Sequence, residues 1–555
     1  MDPIWLDNYP PGVPTGYVVD PDETLIDAME ATFAAWPGNR AFANMGHSLT
    51  FAETDRLSRQ FAAYLQRDLK LMQGDRVAIM LPNLLQYPVA MLGCLRAGMV
   101  VVNVNPMYTP RELEHQLHDA GAKAIVIYSG SAHVLEEVLE HTDIAHILVS
   151  NVGDLLPLPM RVLANFVVRF VKRMVPAYSL PNAQSFRAIL GTPVGDYVRP
   201  DNIIGKDVAI LQYTGGTTGL SKGAMLSHSN LLANTRQVNS WFGALDVPGE
   251  EIIITALPLY HVYALTVNCF AYFVKGGLNM LITDPRDTAA MVKEMGKWPF
   301  TAMTGVNTLF QSLARHPDIA KVDFSHLKVA SAGGMAVQEA TAREWVEVTG
   351  TQIIEGYGLS ETSPVITTNP LDLPEFNGCV GLPLPGTDVS IRNDDGNEVP
   401  PGEAGELYVK GPQVMLGYWN NPEATSKVTS TDGYFRTGDM ATIDERGYLK
   451  IVDRKKDMII VSGFKVYPNE IENIVTQHPD ILEAACVGVP GDDPGEEDVK
   501  LFVVIREGAD ISPQSVRDYC KENMTAYKVP GAIEFVDHLP KSNVGKVLRR
   551  ELRGQ

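Results

Sequence analysis

Short apolar runs, many of them rich in β-branched residues, alternate with helical patterns along most of the chain. RVAIML, VVVNV and AIVIY are separated by stretches with helical spacing, and EIIITALP, GLNMLIT and VASAGG continue the alternation further on. One helical stretch starts with a capping-box pattern, in which Glu53 follows Thr50 by three residues. Such alternation is typical of parallel βα units. We therefore predict an α/β structure with more than one sheet up to about residue 450.

The pattern changes near Asp453, within GYLKIVDRKKDMIIVSG, which is strand-like but strongly charged in its middle. The helical stretches NEIENIVTQ and SPQSVRDYCKENM then flank the apolar runs EAACVGVP and KLFVVIRE, and AIEFVDHLP follows. A segment of about a hundred residues is long enough for a compact α+β domain. The sequence therefore predicts a large domain over residues 1–452 and a small domain over residues 453–555.

Composition narrows the classes of function. A chain of 555 residues is too long for one ordinary core, and its net charge of −20 argues against nucleic-acid binding, which depends on clustered Lys and Arg. The 5 cysteines are scattered, without zinc-ligand spacing. The N-terminal MDPIWLDNYPPG lacks the basic flank and apolar core of a signal peptide. These features together predict a cytoplasmic protein.

Residues 161–174, RVLANFVVRFVKRM, combine basic and apolar positions at helical spacing. The interspersed charges exclude a transmembrane span. A basic amphipathic helix can lie in the interface of an anionic membrane, here the inner face of the cytoplasmic membrane, or it can dock on the protein's own surface. The sequence leaves both interpretations open. The basic residues on the proposed helical face are Arg161, Arg169, Lys172 and Arg173.

Residues 213–223, YTGGTTGLSKG, form a stretch rich in glycine and hydroxyl groups between the apolar run VAILQ and a helical pattern. It is not a Walker A loop, because Lys222 follows Ser221 and precedes another glycine. Glycines let backbone N–H groups approach an anion, while the hydroxyls and the lysine add donors and one positive charge. We predict a phosphate-binding loop between a strand and a helix, and a plain glycine-rich turn is the alternative.

Four further motifs strengthen this hypothesis. IIEGYGLSET offers Tyr357 to stack on a base and Glu361 as an oxygen ligand for Mg²⁺. YFRTGD ends in Asp439, whose carboxylate can accept two ribose hydroxyls. The segment 453–472 concentrates charge at the predicted domain boundary, and PKSNVGK ends in Lys546. Each motif alone is weak evidence for a nucleotide site, but all of them occur in this one chain.

These five motifs, taken in this order, resemble those of the adenylate-forming superfamily of acyl-CoA synthetases, peptide-synthetase adenylation domains and luciferases. Within it, TGVNTLF (304–310), SAGGMAVQ (331–338) and the segment 161–174 are similar to bacterial long-chain fatty acyl-CoA synthetases. The resemblance implies an acyl-CoA synthetase-like fold. A large α/β N-terminal domain with mixed sheets would carry a smaller α+β C-terminal domain on a hinge.

The resemblance also implies a two-step reaction with a long-chain fatty acid, ATP and CoA as substrates and Mg²⁺ as cofactor. The carboxylate would attack the α-phosphate of ATP and give an acyl-adenylate and pyrophosphate. The thiol of CoA would then displace AMP. A homodimer is left open, because the sequence does not report the oligomeric state.

Individual roles follow from the same resemblance. Thr217 and Glu361 would hold Mg²⁺, and Lys546 would bridge the carboxylate and the α-phosphate as a preorganised positive charge. His261 would guard the acyl pocket, with an ordinary packed side chain as the alternative. Asp453 would be the hinge between two orientations of the small domain.

Further residues would bind the nucleotide and CoA. The phosphate loop would comprise Thr214, Gly215, Gly216, Thr217, Thr218, Gly219 and Lys222. The adenine and ribose would be held by Gly333, Gly334, Glu355, Gly356, Tyr357, Gly358, Asp439 and Arg454. The path of CoA would be lined by Gly463, Phe464 and Lys465.

The stretch ALPLYHVYALTVNCFAYFVKGG contains no Asp or Glu that could pair with an amino group. An apolar acid is therefore favoured over an amino acid, since an unpaired buried charge is costly. Two other functions stay open. One is a fatty acyl-AMP ligase that passes its product to a separate carrier protein. The other, a membrane-surface lipid-binding protein that has lost catalysis, is disfavoured because Lys546, Glu361 and Asp439 are all present.

Overall fold

The computed structural model describes residues 3–191, 197–214, 220–461, 464–491, 497–542 and 546–553. Within them the predicted alternation of strands and helices is observed. The strands are β1 (Arg40–Asn44), β2 (His47–Thr50), β3 (Arg76–Met80), β4 (Val100–Asn103), β5 (Ala122–Tyr128), β6 (His146–Ser150), β7 (Gln184–Ser185), β8 (Val208–Thr214), β9 (Lys222–Ser227), β10 (Ile252–Thr255), β11 (Leu278–Leu281), β12 (Ala302–Gly305), β13 (Val329–Ala332), β14 (Ile353–Gly358), β15 (Val365–Thr368), β16 (Leu382–Pro383), β17 (Asp388–Arg392), β18 (Gly405–Lys410), β19 (Phe435–Ile443), β20 (Leu449–Arg454), β21 (Ile459–Val461), β22 (Phe464–Val466), β23 (Ile481–Pro490), β24 (Glu497–Ile505) and β25 (Ala532–Phe535).

Helices separate most of these strands. The capping box at the start of α2 is observed, since the Glu53 N–H donates to Thr50 Oγ1 and the Thr50 N–H donates to Glu53 Oε2. The helices are α1 (Leu25–Ala35), α2 (Phe51–Arg67), α3 (Gln86–Arg96), α4 (Pro110–Ala120), α5 (Ala132–Val138), α6 (Leu158–Phe166), α7 (Phe186–Ile189), α8 (His228–Phe242), α9 (Ala271–Val274), α10 (Thr288–Met295), α11 (Asn307–Ala314), α12 (Glu339–Thr349), α13 (Pro422–Val428), α14 (Pro468–Val475), α15 (Pro513–Asn523) and α16 (Arg549–Leu552). Two π-helical segments, Val167–Val171 and Ala264–Phe270, follow α6 and precede α9.

Two mixed sheets form the large part of the molecule. One has the order β7-β6-β5-β3-β4-β8-β9, and the other has the order β16-β15-β14-β13-β12-β10-β11-β1-β2. Their central strands run parallel, whereas β9, β15, β16 and β2 add antiparallel pairs at the edges. The central strands are buried because helices cover both faces, and every residue of α3 is buried as well. The prediction of a large α/β domain with mixed sheets is confirmed.

A third sheet of four antiparallel strands, β17-β18-β19-β20, follows the second mixed sheet along the chain. This segment departs from the predicted βα alternation. Each strand pairs with the next along the chain, and α13 lies within the long connection between β18 and β19. The sheet ends on Asp453 and Arg454, so the predicted hinge residue lies within a strand, opposite Met440.

The remaining residues form a small α+β unit, as predicted. β23, β24 and β25 make one sheet, and β21 pairs with β22. The strand-like segment predicted around VDRKKDMIIV is two strands, since a turn separates β20 from β21. α14 and α15 bury Ile471 and Val516 in a core of their own with Val503.

The amphipathic segment is helical, and its apolar side chains face outward. Phe166 is 54% exposed, and Phe170 and Leu163 exceed 60%. On the inner side, the Gly153 N–H donates to Asn165 Oδ1. The segment therefore packs on the protein through the side that carries Asn165, and contact of its outward apolar face with a membrane stays a prediction. No helix in the described part of the chain is both long and apolar enough to cross a membrane.

Candidate active site

The glycine-rich loop joins the two strands of a hairpin. β8 and β9 pair antiparallel, with Thr214 opposite Lys222. The predicted connection from a strand to a helix is wrong, because the residues after Lys222 continue as β9 and α8 begins only at His228. Thr214 and Lys222 thus lie side by side where the loop leaves the sheet. The predicted phosphate-binding residues that lie outside the described residues are Gly215, Gly216, Thr217, Thr218 and Gly219.

Lys222 and Glu361 are joined through Tyr418, a residue that the sequence analysis did not identify. The Lys222 ammonium lies 4.7 Å from the centroid of the Tyr418 ring, and the Tyr418 hydroxyl donates to Glu361 Oε1 at 2.7 Å. Burial, together with the charge of Glu361, raises the pKa of Tyr418 well above its usual value. The only sequence signal for Tyr418 is an aromatic residue directly after a glycine in LGYWN.

Three residues predicted to hold the adenosine lie together. The Tyr357 hydroxyl donates to Asp439 Oδ2, and Arg454 Nε lies 2.7 Å from Asp439 Oδ1. Asp439 faces Arg454 across the β19–β20 pair, which explains the contact. Burial and the Asp439 charge raise the pKa of Tyr357 far above its usual value. Burial alone would lower the pKa of Arg454, but the charges of Asp439 and other acidic neighbours together outweigh it, and the pKa is raised.

The glycines predicted around the adenine lie where β13 and β14 end, and Gly358 is sterically required. A Cβ atom on Gly358 would lie 1.8 Å from the Pro364 carbonyl oxygen, so any larger residue would displace the backbone there. A Cβ atom on Gly333 would lie 3.1 Å from the ring of Tyr263, which would have to shift slightly. The other two glycines of this group are Gly334 and Gly356.

Glu355 is buried, and its carboxyl group is engaged with the main chain. Its Oε1 accepts the N–H of Val337 at 2.9 Å, and the side chain is 5% exposed. Burial raises the pKa of Glu355 to about 8. The residue therefore links β14 to the segment before α12, and its contact with adenine stays a prediction.

Lys546 reaches the adenosine residues from the small unit. It is half-buried, and burial together with the charge of Arg454 lowers its pKa to about 8, while Asp439 acts in the opposite direction. His261 lies within electrostatic reach of Lys546, since burial and then the charge of Lys546 lower its pKa to about 4. His261 Nδ1 accepts the N–H of Tyr263 at 3.3 Å. Lys546 forms no ion pair with any described carboxylate, so its charge is available to an anion.

The residues present fit a Mg²⁺ ion that is shared with phosphate oxygens. Glu361 Oε1 accepts a hydrogen bond from Tyr418, whereas Oε2 has no hydrogen-bond donor among the described residues. No group of three or more His, Cys, Asp and Glu side chains in that part of the chain could hold a metal alone. Mg²⁺ at phosphate-transfer sites is held by one or two carboxylates together with substrate phosphates. Glu361 supplies such a carboxylate.

The predicted hinge residue is buried among main-chain donors. Asp453 accepts the N–H groups of Asn469 at 2.8 Å and of Arg454 at 2.7 Å, and the Arg549 guanidinium lies 3.7 Å away. Burial raises the pKa of Asp453 to about 6, although Arg549 opposes this. These three partners belong to the predicted small domain, whereas the strand pairing with Met440 connects Asp453 to the predicted large domain.

The predicted CoA-path residues have their contacts elsewhere. Phe464 is 54% exposed and stacks on Tyr527 with centroids 4.7 Å apart, while Lys465 pairs with Asp394 at 3.2 Å. The structure therefore does not bring Phe464 or Lys465 to Lys546. Gly463 lies outside the described residues.

A small cavity of about 10 Å³ lies between α8 and the second mixed sheet. Its wall is mostly apolar, with Phe242 and Met303 among the lining residues. Ser331 lines it at the carboxyl end of β13, two residues before Gly333. At the amino ends of the strands the lining includes Lys275, whose ammonium lies 2.7 Å from Asp246. The residues that line the cavity thus extend from the edge of the sheet near Gly333 to the Lys275–Asp246 pair.

Residues 29–419 match the family model described as AMP-binding enzyme, and residues 470–546 match the model described as AMP-binding enzyme C-terminal domain. The chain belongs to the AMP-binding enzyme family. The predicted superfamily is therefore confirmed, and the two matched regions correspond to the large and small parts of this AMP-binding enzyme.

Full-length relatives of this AMP-binding enzyme are named long-chain-fatty-acid–CoA ligases. It is 53% identical over 556 residues to the one from Escherichia coli O6:H1, covering 100% of this chain and 98% of the relative. It is 37% identical over 551 residues to the one from Bacillus subtilis (strain 168), covering 99% and 97%. The resemblance to long-chain synthetases is thus confirmed over the whole chain.

Solved structures confirm the predicted acyl-CoA synthetase-like fold of this AMP-binding enzyme. The crystal structure of ATP-bound MatB from Rhodopseudomonas palustris superposes with a TM-score of 0.83 at 29% identity, covering 95% of this chain and 98% of that one. The anthranilate CoA ligase AuaEII, in complex with anthranoyl-AMP, gives a TM-score of 0.85 at 22% identity, covering 97% and 98%. The second likeness concerns the fold alone.

Proposed function

We propose that this enzyme activates long-chain fatty acids to acyl-CoA, consuming ATP and passing through an acyl-adenylate. The observation that carries the proposal is that Lys546 lies within electrostatic reach of the Asp439–Arg454 pair and of His261 and has no carboxylate partner among the described residues. The names of the full-length relatives support the same substrates.

The nucleotide would be held at both ends. Asp439 would accept the ribose hydroxyls, with Tyr357 against the base. Lys222 and the hydroxyl-rich loop that starts at Thr214 would hold the terminal phosphates. When bound at Glu361, Mg²⁺ supplies charge neutralisation as two anions approach each other.

Lys546 would stabilise the transition state by its charge. With a pKa of about 8 before substrates bind, most of its ammonium is charged at pH 7, and adjacent anions favour the charged form further. A fixed cation at the α-phosphate and the attacking carboxylate stabilises charge that develops there. His261, with a pKa of about 4, is neutral at this pH and does not repel the ammonium.

The second half-reaction would need a different orientation of the small domain. We assign residues 1–452 to the large domain and 453–555 to the small one, with rotation at Asp453. The rotation would break the contact of Lys465 with Asp394 and carry Gly463, Phe464 and Lys465 to the path of CoA. The exposure of Phe464 supports this, because a large apolar side chain at 54% exposure is free to find another partner.

The acyl chain would enter between α8 and the second mixed sheet, where it would have to widen the small cavity. The wall of this cavity is mostly apolar, and Ser331 lines it near the nucleotide residues. Burial of each methylene stabilises the bound chain by about 0.8 kcal/mol until the cavity is full. Beyond that, further methylenes would meet the buried Lys275–Asp246 pair, whose desolvation is costly.

The experiment is an acyl-length series from C8 to C18 with ATP and Mg²⁺, scored as AMP release with and without CoA. We expect CoA-dependent AMP release whose kcat/KM rises about fourfold per added methylene, the value of 0.8 kcal/mol, and then levels off. AMP release that requires a carrier protein instead of CoA would favour the acyl-AMP ligase. Failure of every acid to drive exchange of pyrophosphate into ATP would favour the lapsed enzyme.

We also propose that the outward apolar face of the segment 158–174 contacts an anionic membrane. Six of its large apolar side chains are more than half exposed, and a monomer rarely leaves so many together in water. Basic side chains from the same segment flank them and suit anionic headgroups. The exposed apolar residues are Leu158, Val162, Leu163, Phe166, Phe170 and Val171.

A further inference from the structure

Tyr418 stands between two groups of opposite charge. Its ring lies under the Lys222 ammonium at 4.7 Å, and its hydroxyl donates to Glu361 Oε1 at 2.7 Å. Lys222 and Glu361 both lie in the part of the chain that the structure describes, and they form no ion pair with each other. The aromatic side chain therefore contacts both charged groups, which do not contact each other.

The position of Tyr418 is fixed by backbone contacts on both sides. Tyr418 is 7% exposed and forms an antiparallel bridge with Ala224 of β9, two residues after Lys222. On the other side, the Met415 N–H donates to the Glu361 carbonyl oxygen at 2.8 Å. The segment 415–419 thus connects the end of the glycine-rich loop to the turn that carries Glu361.

We propose that Tyr418 is a positioning residue that keeps Lys222 and Glu361 apart, so that the lysine binds phosphate and the glutamate binds Mg²⁺. The inference rests on the proposed function for the roles of these two residues. A direct ion pair would cancel both charges before the nucleotide arrives. The ring instead holds the ammonium through a cation–π contact, and the hydroxyl directs one carboxylate oxygen while leaving the other for the metal.

Two substitutions separate the two contacts. Tyr418→Phe removes the hydroxyl and keeps the ring, whereas Tyr418→Leu removes both and keeps an apolar side chain. Tyr64→Phe is the matched control, because Tyr64 is also 7% exposed and donates to the side-chain oxygen of Gln184 at 2.7 Å, outside the site. Urea unfolding of each variant checks that it folds.

The measurements are made without fatty acid or CoA, so that no turnover occurs. Mn²⁺ affinity for the enzyme–ATP complex is measured by paramagnetic resonance, and ATP affinity in EDTA by calorimetry. For Tyr418→Phe we expect about tenfold weaker Mn²⁺ binding, typical of a lost hydrogen bond to a charged group, and metal-free ATP binding within twofold of the parent. Tyr418→Leu should in addition weaken metal-free ATP binding about threefold.

Two results would overturn the inference. One is Tyr418→Phe behaving like Tyr64→Phe, with both affinities unchanged. The other is Tyr418→Phe weakening metal-free ATP binding as strongly as Mn²⁺ binding, which would indicate general damage. If Tyr418→Leu does not fold, Tyr418→Phe alone decides. If the enzyme binds ATP and Mn²⁺ normally but adenylates no acid, the proposed function is refuted. That result would not contradict the role inferred for Tyr418.

Discussion

The charge of each ionisable side chain in the candidate site is set by its immediate neighbours. Lys546 and His261 both have lowered pKa values because burial disfavours their charged forms and each lies near another cation. These pKa values leave Lys546 mostly charged and His261 neutral at pH 7. Such a site suits the fatty carboxylate and the phosphate as two anions, next to an apolar acyl chain. Arg454 keeps its charge through the contact with Asp439.

The role of Lys546 predicts that the two half-reactions separate on substitution. Lys546→Ala should lower the rate of acyl-adenylate formation by at least about a hundredfold, the usual loss when a preorganised charge is removed. Reaction of supplied acyl-adenylate with CoA should stay near the parent rate. Pyrophosphate exchange and single-turnover thioester formation measure the two steps. Lys541→Ala is the control, since Lys541 pairs with Glu483. If Lys546→Ala slows both steps equally, the proposed role of Lys546 in acyl-adenylate formation is contradicted.

At the scale of elements, the site is assembled where several strands end. The ends of β13 and β14 carry the glycines around the adenine, the β19–β20 pair carries Asp439 and Arg454, and the β8–β9 hairpin carries Lys222. Ligand sites in α/β sheets lie at such carboxyl ends. Buried polar links such as Glu355 to Val337 hold these ends in place.

The buried Glu355 carboxyl predicts a pH-dependent link between β14 and the segment before α12. Its pKa of about 8 lies above the unfolded value of about 4.3, so the native state binds the extra proton between these values. The free energy of unfolding should therefore fall, relative to Glu355→Gln, by about 1.4 kcal/mol per pH unit from pH 5 to 8, and stay level above pH 8.

Urea unfolding at pH 5, 6, 7, 8 and 9 measures this difference. Glu347→Gln, exposed on α12, is the control and should follow the parent at every pH. If the free energy of unfolding changes with pH in the same way for the parent and for Glu355→Gln, the Glu355 carboxyl does not change its ionisation on folding.

At the scale of the whole molecule, the small unit reaches into the large one through a few polar contacts. Lys455 and Lys465 both pair with Asp394, and Lys546 enters the space near Asp439. Few contacts between units are typical of domains that move relative to each other. Rotation at Asp453, a homodimer and membrane contact all stay predictions.

Membrane contact through the segment 158–174 can be tested by co-sedimentation with vesicles that contain anionic lipid. Arg169→Glu/Lys172→Glu should reduce binding by more than tenfold, because each basic residue near such a surface contributes about 1 kcal/mol. Lys321→Glu/Lys427→Glu makes the same change in net charge on another surface and should bind like the parent. Equal binding by all three proteins would exclude this face as the membrane contact. Vesicles of neutral lipid should bind each protein weakly.

Much of the fold and part of the candidate site follow from local sequence patterns. The capping box at Thr50, the alternating strands and the α+β unit depend on neighbouring residues, so they were predictable. The hairpin at Lys222 was not, because a short strand such as β9 resembles the start of a helix in composition. The outward face of α6 also escaped prediction, since amphipathic spacing does not tell which face meets the protein.

The sequence by itself determined the family, the order of the motifs and the residue types available for phosphate, ribose and metal. Only the tertiary structure decided which of them meet. Tyr418 contacts Glu361 across 57 positions and Lys222 across a still longer stretch, and these contacts depend on strand order and edge pairing. The cavity lined by Ser331 likewise depends on the packing of elements that are distant in the sequence. Local propensity sets the elements, but the packing of distant elements sets their distances, because burial of apolar faces is shared by the whole chain.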